Sequence, residues 1–185
     1  MNQTQQNLLK AFAGESSARN KYTTFAKVAR KQGYEWIARV FEETAENERV
    51  HAEELFELIK EPVRAPSELA IGPFETTSDN LKMAAEGEKF EWETMYPGFA
   101  KKAKEEGFSE VKRVFTEIGE VEEKHRDRYL KLKKNIEDRT VFKRDTEVLW
   151  KCRNCGYIHK GKEAPSVCPA CAHAQSYYEI FCQPY

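Results

Sequence analysis

The sequence predicts a mainly α chain: a four-helix bundle with one long crossover, followed by a small four-cysteine metal-binding domain. Three observations predict it. Residues 1–146 are rich in Ala, Glu, Lys and Leu, whereas the remainder is short and carries Cys, Gly, Pro and aromatics. Apolar residues in the first part recur at steps of three and four, the spacing of one helix face. All five cysteines lie after residue 150, four of them in two C-x-x-C pairs.

A length of 185 residues suits one ordinary domain and one small one. We place them at 1–146 and 147–185, with a hinge near Asp145-Thr146. Thirty basic residues nearly balance thirty-one acidic ones, so no broad positive field is available for nucleic acid or anionic lipid. Apolar runs are only a few residues long, too short for a membrane span. The start, Met1-Asn2-Gln3-Thr4, has no basic and apolar leader pattern, so the expected location is cytoplasmic.

Four helices are expected at about residues 3–31, 35–60, 78–105 and 109–138. Gly33 and Gly107 separate the members of each pair, which makes each pair an antiparallel hairpin with a short turn. Residues 61–76 hold three prolines and a glycine and suit a crossover. Thr76, Thr77, Ser78 and Asp79 are N-cap candidates for the third helix.

The hairpins repeat. Gly33-Tyr34, Arg39-Val40-Phe41 and Glu48-x-x-His51 recur as Gly107-Phe108, Arg113-Val114-Phe115 and Glu122-x-x-His125, all 74 residues on (107 − 33 = 74). Glu15 recurs as Glu88, 73 residues on (88 − 15 = 73). A duplication whose best-matched positions are polar implies a pseudo-twofold site.

A helical glutamate is usually surface decoration, so the face decides. The second helix has the seam Ile37, Phe41, Thr44, Glu48, His51, Leu55, Leu58, and the fourth has Val111, Phe115, Ile118, Glu122, His125, Tyr129, Leu132, Ile136. Each apolar seam is interrupted at its middle by one Glu and one His. The third offers Leu81, Ala84, Glu88, Glu91, Met95, Gly98, and the first Leu8, Phe12, Glu15, Tyr22, Ala26. Inward carboxylates must be paired or metal-bound, and Arg19 is the one basic candidate near the first seam. A Glu from each of two helices and Glu-x-x-His from each of two others is the donor set of di-iron and di-manganese carboxylate bundles. Glu91 has no counterpart, since the repeat places Ala18 there (91 − 73 = 18). Tyr22 and Tyr96 lie close enough along their helices to hydrogen-bond the ligands.

In the second part, Cys152-x-x-Cys155 and Cys168-x-x-Cys171 frame a 12-residue gap and suit one tetrahedral metal, zinc or iron. Trp150, Tyr157, Tyr178 and Phe181 offer an apolar shell and tilt the balance toward iron. Cys182 is expected to be a small hydrophobe outside the site, and His159 and His173 to be surface residues.

The motifs AFAGESSARNKY, ENERVHAEE, GEKFEWETMYP, EKH at 123–125, CRNCGY and CPACAH, in this order, resemble the rubrerythrin family over essentially the whole chain. The resemblance implies a ferritin-like bundle with two irons per chain and a rubredoxin-like, β-rich domain with one. It implies a peroxidase that reduces hydrogen peroxide to water and protects an anaerobe or microaerophile from oxidative stress. Electrons would come from a separate NAD(P)H-dependent reductase or a rubredoxin through the four-cysteine iron. A homodimer or higher homo-oligomer is implied, with electrons passing from a partner subunit's tail. By similarity, Glu48 and Glu122 would bridge the irons, Glu15 and Glu88 would be terminal, and His125 would bind throughout. Glu91 and His51 would exchange at the other iron. Ala172 departs from the glycine usual after a rubredoxin's second knuckle, which bears on that iron's potential. The alternatives are a ferroxidase or iron-handling protein, and a zinc-ribbon adaptor.

Overall fold

The computed structural model describes residues 2–64, 66, 72 and 75–182. Half of the expected crossover at 61–76 lies outside the described residues.

The first hairpin is α1 (Gln3–Lys31) and α2 (Glu35–Glu57). Asn2 caps α1 by accepting from the Gln5 amide at 2.8 Å. After α1, Gly33 takes φ +82° while the Tyr34 amide reaches back to the Ala29 carbonyl at 2.9 Å. This left-handed closure is one that glycine adopts without strain. The second hairpin is α3 (Thr77–Phe90), a π-helical turn at Glu91–Met95, α4 (Tyr96–Glu105) and α5 (Ser109–Glu137). Gly107, at φ +83°, and Phe108 repeat the same closure. Of the four N-cap candidates, Thr76 does the work for α3, accepting from the Asp79 amide at 3.1 Å.

The expected bounds need three corrections. The second helix ends at Glu57, before Pro62. The third is broken in its middle by the π-turn, which moves Tyr96, Ala100 and Ala103 into the core and leaves Gly98 exposed. The place expected to be a hinge, Asp145-Thr146, lies inside a strand, where its pairing with the next strand slips between Lys143 and Val148.

The duplication is visible in the packing. Thr4 donates its amide and hydroxyl to Glu106 at 2.9 and 2.7 Å, and Thr77 does the same to Gln32 at 2.8 and 2.6 Å. Each hairpin thus caps the start of the other. Two apolar cores form at opposite ends of the bundle. One gathers Phe25, Phe41, Leu81, Tyr129 and their neighbours, the other Leu8, Leu55, Ala103, Val111 and Phe115. The inward Glu and His residues lie between them.

The tail is a three-stranded antiparallel sheet in the order β2 (Ile158–Glu163), β1 (Lys143–Cys152), β3 (Tyr178–Ile180). Its core is Trp150, Cys152, Ala164, Cys168 and Tyr178. It packs on the bundle end where α1 turns into α2. There Tyr34 stacks on Phe142 at 6.4 Å, and Trp36 lies between Arg128 and Arg153 at 5.7 and 5.4 Å.

Candidate metal centres

Four helical segments meet between the two cores. Glu15 on α1, Glu48 on α2, Glu88 on α3 and Glu122 on α5 are each 0–1% exposed. Their ligand atoms fall into two groups: Glu15, Glu48, His51 and Glu122, and Glu48, Glu88, Glu122 and His125. Glu48 and Glu122 belong to both. His51 Nδ1 stands 3.0 Å from Glu48, 3.0 Å from Glu122 and 3.8 Å from Glu15. His125 Nδ1 stands 2.7 Å from Glu122, 3.4 Å from Glu48 and 3.9 Å from Glu88. The imidazole centroids are 6.2 Å apart. This is the pseudo-twofold arrangement that the repeat predicts, with six of the seven expected residues converging.

Glu91 is the exception. It lies beside Glu88, near the Glu15 side, but in neither group of four. The repeat explains its place. Thr4, Leu8, Ala11 and Glu15 match Thr77, Leu81, Ala84 and Glu88 at an offset of 73, whereas Tyr22, Phe25, Ala26 and Ala29 match Tyr96, Phe99, Ala100 and Ala103 at 74 (96 − 22 = 74). One extra residue entered between Glu88 and Tyr96, and a π-turn is how a helix absorbs one.

The tyrosines cross between halves. Tyr22 donates to Glu88 Oε1 at 2.6 Å, and Tyr96 donates to Glu15 Oε1. Each orients the carboxylate of the other hairpin. Arg19 is exposed and does not enter the site, so no basic side chain from that seam balances the carboxylates.

Electrostatics shows what the cluster lacks. Burial pushes the carboxyls of Glu15 and Glu88 well above the ordinary range. Burial, then the charges of Glu122 and Glu48, pushes Glu91 up to about 8. For Glu48 burial is outweighed by hydrogen bonds to His125 and His51, which bring it down to about 2. Burial likewise opposes the charged imidazoles, yet contacts led by Glu122 raise His51 to about 12 and His125 to about 9. Without cations, protons must neutralise this cluster. Glu15 Oε2, Glu48 Oε1, Glu88 Oε2 and Glu122 Oε1 are buried and accept no hydrogen bond of good geometry. Inward oxygens of this kind, hard donors mixed with imidazole, fit a pair of divalent iron ions.

In the tail, Cys152, Cys155, Cys168 and Cys171 form a second group. The Sγ separations of 3.7 Å for Cys152–Cys171 and for Cys155–Cys168 match the edge of a tetrahedron with metal–sulfur bonds of about 2.3 Å. The knuckles are copies. Gly156 and Ala172 follow the second cysteine at φ +81° and +58°, and their amides reach the carbonyls of Cys152 and Cys168 at 2.8 and 2.9 Å. Ala172 therefore holds a left-handed conformation that glycine would hold without strain. The His173 amide points at Cys171 and is the main cause that draws its thiol down to about 6. Cys182 is exposed and outside the cluster. His159 and His173 are partly exposed; His173 packs edge-on against Tyr177 at 4.7 Å.

Comparison with known proteins agrees with both centres. Residues 6–133 match the family model described as Rubrerythrin, and residues 150–179 the one described as Rubrerythrin, rubredoxin-like domain. The chain belongs to the rubrerythrin family. It is 50% identical over 177 residues to the rubrerythrin of Porphyromonas gingivalis, covering 95% of this chain and 88% of that one. To the rubrerythrin of Nitratidesulfovibrio vulgaris it is 44% identical, covering 96% and 93%. The solved structure of fully reduced, all-ferrous nigerythrin superposes with a TM-score of 0.66 at 39% identity, covering 96% of this chain and 86% of that one. Mycobacterium tuberculosis bacterioferritin shares the fold alone, at a TM-score of 0.66 and 16% identity over 75% of this chain and 90% of that one. As in the rubrerythrin family, the cofactors are a di-iron centre in the bundle and one rubredoxin-type iron in the tail.

Proposed function

We propose that the chain is a peroxidase that reduces hydrogen peroxide to water at the di-iron centre, with electrons entering through the four-cysteine iron. One observation carries the reading: two overlapping donor groups share Glu48 and Glu122 in a chain that also holds four thiolates around a single metal position.

The bound irons supply redox chemistry, two electrons for each peroxide. Glu48 and Glu122, common to both donor groups, would be shared by the two irons, Glu15 and Glu88 would each hold one, and His125 would hold the iron on the Glu88 side. On the Glu15 side, His51 and Glu91 would be alternative ligands: His51 stands in the Glu15 group, while Glu91 lies one helical turn beyond Glu88. Tyr22 and Tyr96 keep the terminal carboxylates aimed inward as charge changes. The two apolar cores exclude water from either end, which strengthens each of these contacts. Reduction consumes one H2O2, two electrons and two protons and yields two water molecules.

The tail docks on Trp36, twelve residues before Glu48 on the same helix (48 − 36 = 12), about 18 Å along its axis. That separation supports delivery from the tail of a partner subunit in a homodimer or larger homo-oligomer. The donor is an NAD(P)H-dependent reductase or a rubredoxin, and the setting is the cytoplasm of an anaerobe or microaerophile under oxidative stress. Among the described residues, no helix is long and apolar enough to cross a membrane.

Metal analysis with stopped-flow spectroscopy tests the reading. About three irons per chain, and oxidation of the reduced protein by peroxide within seconds, are expected. Reduced protein that peroxide leaves unchanged would sink it. Iron accumulation far beyond that ratio would favour iron handling, and zinc in the tail with no iron in the bundle an adaptor.

A further inference from the structure

Along its inward face α5 copies α2 at an offset of 74: Val114 for Val40, Phe115 for Phe41, Glu122 for Glu48, His125 for His51. Besides Ile118 for Thr44 and Tyr129 for Leu55, two departures lie on the side of the second hairpin: Gly119 where the repeat has Ala45 and Arg126 where it has Ala52. Both departures face the π-turn that the other hairpin lacks. A Cβ at Gly119 would stand 3.1 Å from Cβ of Tyr96, the first residue after the turn. Tyr96 has nowhere to retreat, because its hydroxyl is bonded to Glu15 and its ring packs on Phe115 at 5.9 Å. The guanidinium of Arg126 lies 4.3 Å from the centre of the Trp92 ring, within the turn, and Asp127 holds it by bonds of 3.0 and 2.6 Å.

We propose that Gly119 and Arg126 are positioning residues: Gly119 makes room for the displaced Tyr96, Arg126 pins the displaced Trp92, and together they hold the π-turn that presents Glu91. A relaxed α-helix would turn everything beyond Glu88 by about 100° per residue of slip, taking Tyr96 off Glu15. The consequence for turnover rests on the reading of Glu91 as the exchanging carboxylate; the placement of the turn does not.

Replacing Gly by Ala inside a helix ordinarily stabilises. Gly119→Ala is expected instead to lower the unfolding midpoint of the full-length, iron-loaded protein by about 5 °C. In a chain lacking Glu93, where the uniform offset of 73 is restored, the same change should be neutral or stabilising. The mirror substitution, Ala45→Gly, should cost the same in both backgrounds. Arg126→Ala should speed amide hydrogen exchange across residues 92–96 by about tenfold, with partial recovery in Arg126→Lys. It should also change the Mössbauer signature of one bundle iron and leave the other unchanged.

A rise in midpoint for Gly119→Ala, an equal fall with and without Glu93, or unchanged exchange at 92–96 in Arg126→Ala would overturn the proposal. Should the shortened chain not fold, the sign of Gly119→Ala and the exchange data decide. None of these readouts involves peroxide, so their failure leaves the peroxidase reading standing, and failure of peroxide turnover leaves them standing.

Discussion

The two hairpins are built to one plan, and they differ where the chemistry needs a difference. In both, a Tyr crosses to the opposite terminal Glu, a Phe pair backs that Tyr, and a Thr is capped by the partner hairpin. Among the described residues, the π-turn and Glu91 belong to the second, while Tyr34 and Trp36 of the first meet the tail. Thr44 and Tyr129, buried polar residues toward the tail end, stand where the repeat has Ile118 and Leu55. Shared features make a site for two metals. The unshared ones make the two positions inequivalent, as the proposed exchange of Glu91 and His51 would require.

The comparison breaks most completely at the shared ligands. Glu48→Ala removes a donor from both groups and is expected to abolish binding of both bundle irons and all peroxide turnover. Glu15→Ala touches one group and should leave one iron. Iron per chain, counted by emission spectrometry with the tail iron as internal reference, separates the two outcomes.

Next comes removal of metal. With His51 raised to about 12 and His125 to about 9, their protonated forms stabilise the metal-free fold. The sign follows from linkage: groups whose pKa folding raises contribute fully below the unfolded value of about 6.5, and that contribution fades as pH climbs through the folded value. Raised Glu15 and Glu88 act in the same direction. Metal-free protein should therefore lose thermal stability between pH 6.5 and 9, and ferrous affinity should rise over the same interval as protons are expelled. Calorimetry at stepped pH, with and without iron, checks both. A metal-free midpoint that climbs with pH would contradict the protonation pattern.

The smallest effect sharpens the symmetry itself. Tyr22→Phe and Tyr96→Phe each deprive one buried carboxylate of its donor, so each should cost about 1–3 kcal/mol in denaturant unfolding. The pair should be close to equal in the metal-free protein. In the iron-loaded protein Tyr96→Phe should slow peroxide turnover more, because it serves the Glu15 side, where Glu91 waits.

Much of this was legible in the sequence. The apolar seams, interrupted by Glu and His at one height, identified six converging residues, and the cysteine spacing identified the four thiols. Both depend on local periodicity and covalent reach. The slip from 73 to 74 was also written there, between Glu88 and Tyr96, but its meaning was not. A one-residue shift reads equally as a loop difference or as helix drift until the backbone shows a π-turn, so an unbroken helical period puts Gly98 on the seam where the structure has Tyr96 and Ala100. Arg19 failed in a related way, since a residue one step off a seam can point outward.

By itself, then, the sequence determined the duplicated bundle, the two donor sets and the family, because helical period, ligand spacing and repeat offset are properties of the chain taken in order. Tertiary structure alone decided which Tyr meets which Glu and where the tail rests. It also decided that Gly119 and Arg126 face the π-turn. Those are contacts between segments far apart in the chain, set by how two helix pairs cross, and no local pattern encodes a crossing.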